Sequence, residues 1–134
     1  EYPLIEYCLK NDELGDPLVS REHILAFKWM DVFELDFIYE EVRRINDFLQ
    51  GMFRGVGIKL VDFKIEFGRS EADGKKEVML ADEISPDNCR LWDLKQKNDT
   101  IVSLDKDRFR NDLGGLIEAY SEIHRRINDF LQPN

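Results

Sequence analysis

Leu35, Ile38, Val42, Ile45, Leu49 and Met52 recur in steps of three and four, the spacing of one face of an α-helix. Glu40, Glu41, Arg43 and Arg44 occupy the other face, so the run predicts a long amphipathic helix from Val32 to about Gly55. An apolar stripe of that length must be covered by other elements of the same core. The chain has 134 residues, 43% of them apolar, which is enough for one core of ordinary domain size. Nine Phe, four Tyr and two Trp exclude a disordered polymer. No apolar run approaches the roughly 18 residues of a membrane span, so no membrane partner is expected. The start, Glu1-Tyr2-Pro3, has neither Met nor a basic stretch leading into an apolar one, so it does not read as a signal peptide.

Twenty-eight acidic against 19 basic residues give a net charge of −9. Such a surface repels a phosphate backbone, which argues against nucleic-acid partners while leaving room for a local basic pocket. Cys8 and Cys89 lie far apart, and His23 and His124 fit no metal-ligand spacing. Two thiols in a chain able to build a core indicate a reducing, cytoplasmic compartment.

Before the long helix, residues 2–10 are β-rich and end in the turn-forming cluster 11–17, and Ser20 is placed to cap a short helix through about Phe27. After it, residues 58–67 (IKLVDFKIEF) alternate as one strand, with Val61, Phe63, Ile65 and Phe67 on one face and Asp62, Lys64 and Glu66 on the other. Residues 77–83 (EVMLADE) read as a second strand, and Asp73-Gly74 between the two is a hairpin signal. A loop is expected at 95–100. A final helix is expected from Asp105–Asp107, carrying Phe109, Leu113, Leu116, Tyr120, Ile123, Ile127 and Phe130, with Gly114-Gly115 a weak point inside it. The octapeptide RRINDFLQ occurs twice, at 43–50 and 125–132, within two different helices. Its flanks differ, so it is a copied helical segment rather than a structural repeat.

Chemistry concentrates in residues 61–90. Asp62, Lys64 and Glu66 on one strand face read either as a solvated charge ladder or as part of a site. Asp82, Glu83, Asp87 and Arg90 follow on the next segment. If the hairpin sets Asp82 across from Glu66, two carboxylates meet in a manner suited to a divalent ion, since Mg²⁺ is commonly held by one or two carboxylates plus substrate phosphates. Lys64 beside them could neutralise phosphate oxygens, completing a set of groups for metal-assisted phosphoryl transfer.

Five runs together, residues 9–20 (LKNDELGDPLVS), 22–27 (EHILAF), 59–68 (KLVDFKIEFG), 80–93 (LADEISPDNCRLWD) and 104–120 (LDKDRFRNDLGGLIEAY), resemble the SAICAR synthetase family in order and spacing. The resemblance implies an α+β fold, an antiparallel sheet flanked by long amphipathic helices, corresponding to a kinase-like or ATP-grasp-like C-terminal lobe. It implies an ATP-dependent ligase of purine biosynthesis that joins L-aspartate to carboxyaminoimidazole ribotide through an acyl phosphate. The products would be SAICAR, ADP and phosphate. By the same resemblance, Glu66 and Asp82 would hold Mg²⁺, and Lys64 would contact ATP phosphate or the reacting carboxylate. Asp62 would position substrate, and Arg90 would hold the ribotide phosphate with its guanidinium fork. Asp87 and Glu83 would contact substrate or its ligands, and Lys10 and Asp16 would line the nucleotide or aspartate side. Lys106 and Arg108 would contribute too, although a charge cluster at a helix start explains them equally well. The chain starts where the family's second half starts, so the glycine- and lysine-containing strands that cover ATP are expected to be missing from residues 1–134. The competing reading is a non-catalytic fragment or pseudo-enzyme module that self-associates into a homo-oligomer through an uncovered sheet edge or apolar face, or that needs a partner chain. Another kinase-like phosphotransferase fits less well, because no HRD or DFG run is present.

Overall fold

A computed structural model describes residues 2–72, 75–95 and 101–132. Residues 1–45 and 46–134 form two units, and the long helix runs through the boundary between them.

In the first unit, the β-rich start reduces to a two-residue strand, β1 (Tyr7–Cys8), paired antiparallel with β2 (Leu18–Val19). The rest of residues 2–10 lies outside any ladder, because β2 offers only two residues to pair with. Between these strands, Asn11 caps a 3-10 turn at Asp12–Leu14, with its side chain accepting the Leu14 N–H at 3.0 Å. Helix α1 (Arg21–Ala26) begins as expected at Ser20. The Ser20 hydroxyl accepts the His23 N–H, and the His23 ring returns the bond to the Ser20 N–H, both at 3.2 Å. The same device starts α2 (Val32–Gly55): Asp31 accepts the Glu34 N–H at 2.9 Å, and Glu34 accepts the Asp31 N–H at 3.0 Å. Ile24, Leu35 and Ile38 are the buried apolar side chains here.

In the second unit, α2 closes at Gly55, and Gly57, at φ 75°, turns the chain into β3 (Ile58–Phe63). The single strand expected over 58–67 is instead two. β3 pairs with β6 (Cys89–Asp93), whereas β4 (Glu66–Ala72) pairs with β5 (Lys75–Ala81). Lys64 and Ile65 belong to neither. The β3–β6 register shifts by one residue between Leu60 and Asp62, and such a bulge reverses the alternation. Ahead of it Ile58 and Leu60 point into the core, whereas beyond it exposed Asp62 stands between half-buried Val61 and Phe63, as expected. The hairpin is present, although its turn at Asp73-Gly74 lies outside the described residues, as do residues 96–100 of the expected loop.

β6 was not anticipated, yet Cys89 and Leu91 alternate inward along it and are both buried. Leu104 adds a backbone bond to Leu91 at 2.8 Å and joins the same core. The final helix is likewise two: α3 (Asp107–Arg110) and α4 (Leu116–Leu131). Gly114 and Gly115 both sit at φ 64°, a left-handed conformation that breaks the helix instead of merely weakening it. Ala119 and Ile123 of α4 are buried, and the Phe130 ring lies over Gly55, where an added Cβ would already be 3.4 Å away. With three two-stranded antiparallel ladders and four helices among the described residues, the α+β class stands.

Candidate functional site

The site residues on the second unit gather around the loop that leads from β5 into β6. That loop is built on its own short polar residues. Asn88 accepts the Ser85 N–H at 2.8 Å and donates to the Glu83 carbonyl; the Ser85 hydroxyl donates to the Glu83 carboxylate at 2.8 Å and accepts the Asp87 N–H at 3.2 Å. Asn, Asp and Ser fold a loop this way because their side chains reach backbone groups two or three residues away. Two neighbours are drawn to it through the main chain. The Lys64 N–H bonds the Asn88 carbonyl at 2.8 Å, and the Lys106 N–H bonds the Pro86 carbonyl at 3.3 Å. From α4, the Tyr120 hydroxyl donates to Asp87 at 2.8 Å. Partial burial and this carboxylate push the Tyr120 phenol well above its usual range.

Arg90 sits opposite Asp62 in the β3–β6 ladder, one residue past the bulge, and their side chains form an ion pair. Its Nε also donates to Asp107 at 2.8 Å. The pair shifts both groups in the expected directions: the Arg90 guanidinium is held above its usual range by Asp107 first and Asp62 second, and Asp107 is held below the usual carboxylate range by Arg90. Behind them lies a residue the sequence reading passed over. Asp105 is fully buried and accepts the Leu91 N–H at 2.5 Å and the Asp107 N–H at 2.8 Å. It ties the residue after Arg90 to the residue that grips Arg90. The Asp-x-Asp spacing of 105–107 carries the signal, although in the sequence alone it reads as a helix start.

The carboxylates expected to hold Mg²⁺ are placed differently from the expectation. Glu66 faces Ala81 across the β4–β5 ladder, and Asp82 comes one residue after the ladder ends. The reason is the connection: Ala72 pairs with Lys75, leaving two residues between the strands, and that sets the register one short of bringing 66 and 82 together. Asp82 has φ 65°, which ends the pleat there and is tolerated by Asp better than by most residues. Glu66 lies 3.9 Å from the Lys64 ammonium. Among the described residues no three His, Cys, Asp or Glu side chains gather as a metal-holding group. A Mg²⁺ ion bound mainly through nucleotide phosphates needs only one or two carboxylate oxygens, and both Glu66 and Asp82 offer that hard donor chemistry.

The remaining expected residues are otherwise engaged or belong to the first unit. Arg108 donates to the Gly114 carbonyl at 2.8 Å and the Ser103 carbonyl at 3.0 Å, bracing the turn between α3 and α4. Lys10 and Asp16 belong to the first unit, where Asp16 accepts the Asn11 N–H at 2.9 Å. Cys89 is buried beside the site, and burial pushes its thiol up to about 11. Burial thus disfavours the thiolate, the form in which a cysteine attacks.

Comparison with known proteins shows the family. The family model for SAICAR synthetase matches residues 1–127. The chain is 62% identical over 125 residues to the phosphoribosylaminoimidazole-succinocarboxamide synthase of Pelagibacter ubique, covering 93% of this chain and 46% of that protein. It is 57% identical over 131 residues to the enzyme of Prochlorococcus marinus, covering 98% and 53%. Among solved structures, the synthase from Ehrlichia chaffeensis superposes with a TM-score of 0.87 at 48% identity, over 100% of this chain and 54% of that one. A SAICAR synthetase in complex with ADP gives 0.82 at 46% identity, over 94% and 51%. The chain thus spans about half the length of the relatives it matches. It belongs to the SAICAR synthetase family.

Proposed function

We propose that residues 1–134 carry the substrate- and Mg²⁺-binding part of a phosphoribosylaminoimidazole-succinocarboxamide synthase. The full reaction joins L-aspartate to carboxyaminoimidazole ribotide at the expense of ATP, through an acyl phosphate, giving SAICAR, ADP and phosphate. The observation that carries this reading is the convergence of Lys64, the 83–88 loop, Arg90 and Lys106 in a chain of this family. The relative solved in complex with ADP supports ATP as the nucleotide.

In mechanistic terms the task is to bring anions together, because the ribotide carboxylate and ATP repel one another. Lys64 lowers that repulsion at the phosphates or the carboxylate, Arg90 binds the ribotide phosphate, and Asp62, Asp87 and Glu83 orient the substrate. Glu66 and Asp82 would hold Mg²⁺, which when bound supplies charge neutralisation for the ATP phosphates. Lys10 and Asp16 would serve the nucleotide or aspartate side, and Lys106 would add positive charge near the loop. A cytoplasmic setting belongs to the same proposal: Cys8 and Cys89 are both free, and no helix among the described residues is long and apolar enough to cross a membrane.

The test is SAICAR and ADP formation from the ribotide, L-aspartate and Mg·ATP, by this chain alone and after joining it to the N-terminal half of a relative. Turnover in the joined protein that Asp82→Asn abolishes, with the fold intact, supports the reading. Full activity of that variant removes Asp82 from the metal site.

A second reading is favoured by exposed aromatics on α2, where Phe33 and Phe48 face away from any core. It makes the chain a non-catalytic module that self-associates through such a surface. Size-exclusion chromatography separates the two: an assembly that binds no nucleotide supports the second.

A further inference from the structure

The two carboxylates on Arg90 are not alike. Asp107 is 22% exposed, and its backbone N–H is pinned by buried Asp105, while a second guanidinium, from Arg110, reaches it at 3.2 Å. Asp62 is 59% exposed, lies beside the register shift in β3, and pairs with Arg90 from that solvated position. One side of the guanidinium is therefore gripped by an anchored group and the other by a solvated one. An exposed pair contributes little, because water and salt compete for it, whereas an anchored charge-assisted bond is harder to give up.

We propose that Asp107 is a positioning residue that orients Arg90 through Nε, and that Asp62 occupies the Nη1 side as a stand-in anion which an incoming phosphate monoester displaces. The proposal rests on the reading of Arg90 as the phosphate-binding residue. Asp62 shields the guanidinium and keeps it extended across the ladder until a dianion arrives. The phosphate then takes the donors that Asp62 vacates, the freed Asp62 carboxylate turns to orient the rest of the substrate, and the Asp107 bond holds the fork in register. Asp105, bonded to N–H groups next to Arg90 and within Asp107, keeps the two backbones at a fixed spacing while this exchange takes place.

The signs of two substitutions separate this arrangement from a general field effect. Removing any nearby negative charge should favour a phosphate by simple Coulomb attraction, so a field effect tightens binding in both variants. Displacement predicts opposite signs. Ribose 5-phosphate is titrated into the ¹⁵N-labelled 134-residue chain, with the Arg90 Nε–H and backbone amide resonances as reporters, the backbone amides alone serving for Arg90→Gln. Asp62→Asn is expected to bind about three- to fivefold more tightly, the release of an exposed pair. Asp107→Asn is expected to bind about tenfold more weakly despite losing a negative charge, and Asp107→Glu to bind within about twofold of the parent. Tightening in both Asn variants overturns the proposal. If Asp107→Asn does not fold, as judged by circular dichroism, the proposal stands or falls on Asp62→Asn tightening and Asp107→Glu retaining binding. Arg90→Gln distinguishes the two levels. Undiminished binding in that variant removes Arg90 as the phosphate residue and the proposal with it. Lost binding there, with Asp107→Asn equal to the parent, overturns the positioning role alone. Absence of saturable binding by the parent chain also overturns the proposal.

Discussion

The same eight residues, RRINDFLQ, stand in two places and do different work in each. In α2 the copy at 43–50 keeps its arginines at the surface: Arg44, 76% exposed, pairs with Glu41 at 2.7 Å, and Arg43 is 3.9 Å from Glu40. Its buried member is Leu49, and Gln50 donates to the Leu60 carbonyl at 3.1 Å. In α4 the copy at 125–132 buries an arginine instead. Arg126 is 6% exposed, grips both oxygens of Asp93 at 2.9 Å, and also reaches Glu122 at 2.7 Å and the Gly57 carbonyl at 3.3 Å. Leu131, the counterpart of Leu49, is exposed.

The flanks account for the difference. At about 100° per residue, the apolar residues upstream set which way a helix faces. In α2 these are Leu35, Ile38 and Val42, whose helix face continues through Ile45 to Leu49. In α4 they are Ala119 and Ile123, and the next inward position on that line is Arg126. The burial is tolerated because Asp93, itself only 8% exposed, ends β6 facing it. An identical octapeptide therefore has no fixed inside.

Substitutions can break this comparison most sharply at the arginines. Arg126→Ala should cost about 3–5 kcal/mol in urea unfolding, because it leaves the Asp93 carboxylate buried without its partner. Arg44→Ala should cost no more than about 0.5 kcal/mol. Equal losses would mean that the buried pair is not special. The leucines come next and reverse the ranking of the copies. Leu49→Ala should lose about 2–4 kcal/mol, and Leu131→Ala less than about 0.5.

Acid provides a smaller and slower contrast. Arg126 holds Asp93 below the usual carboxylate range, and Arg125 and Arg126 hold Glu122 at about 2. Both folded values lie below the unfolded ones, so their stabilisation is complete above the ordinary carboxylate range of about 4 and is lost as pH falls through the folded values, about 2 for Glu122. Unfolding free energy measured between pH 6 and 2.5 should therefore drop less steeply in Arg126→Ala than in the parent, and unchanged slopes would dissociate the network from acid sensitivity. The smallest effect is expected from salt: about 0.5 M NaCl should weaken the exposed α2 pairs by a few tenths of a kcal/mol and leave the Arg126–Asp93 pair nearly untouched, as read from the salt dependence of each single variant.

The candidate site divides in the same way between local and distant causes. Lys64, Glu66, Asp82, Asp87 and Arg90 could be singled out from residue types and spacing, because charged side chains at strand period are visible in a string of letters. The caps at Ser20 and the span of α2 were legible for a similar reason, since both depend on residues within a turn of one another. The register that puts Ala81 opposite Glu66 was not, because it turns on how many residues the hairpin leaves unpaired. The bulge beyond Leu60 was not legible either. It exists because β3 must accommodate β6, a strand nearly thirty residues away in sequence. Asp105 was missed because a lone carboxylate reads as solvated until the N–H groups of Leu91 and Asp107 are seen around it.

The amino-acid sequence by itself determined the amphipathic helix, the α+β composition, the family and the pool of charged groups from which a site could be made. These follow from local periodicity and from motif order, which need no knowledge of what packs against what. Tertiary structure alone decided that Arg90 is shared by Asp62 and Asp107, that Glu66 and Asp82 are not opposed, and that Arg126 goes inside while its twin Arg44 stays in water. The physical reason is that burial and pairing depend on the facing element, and only the folded chain brings that element within a few ångströms.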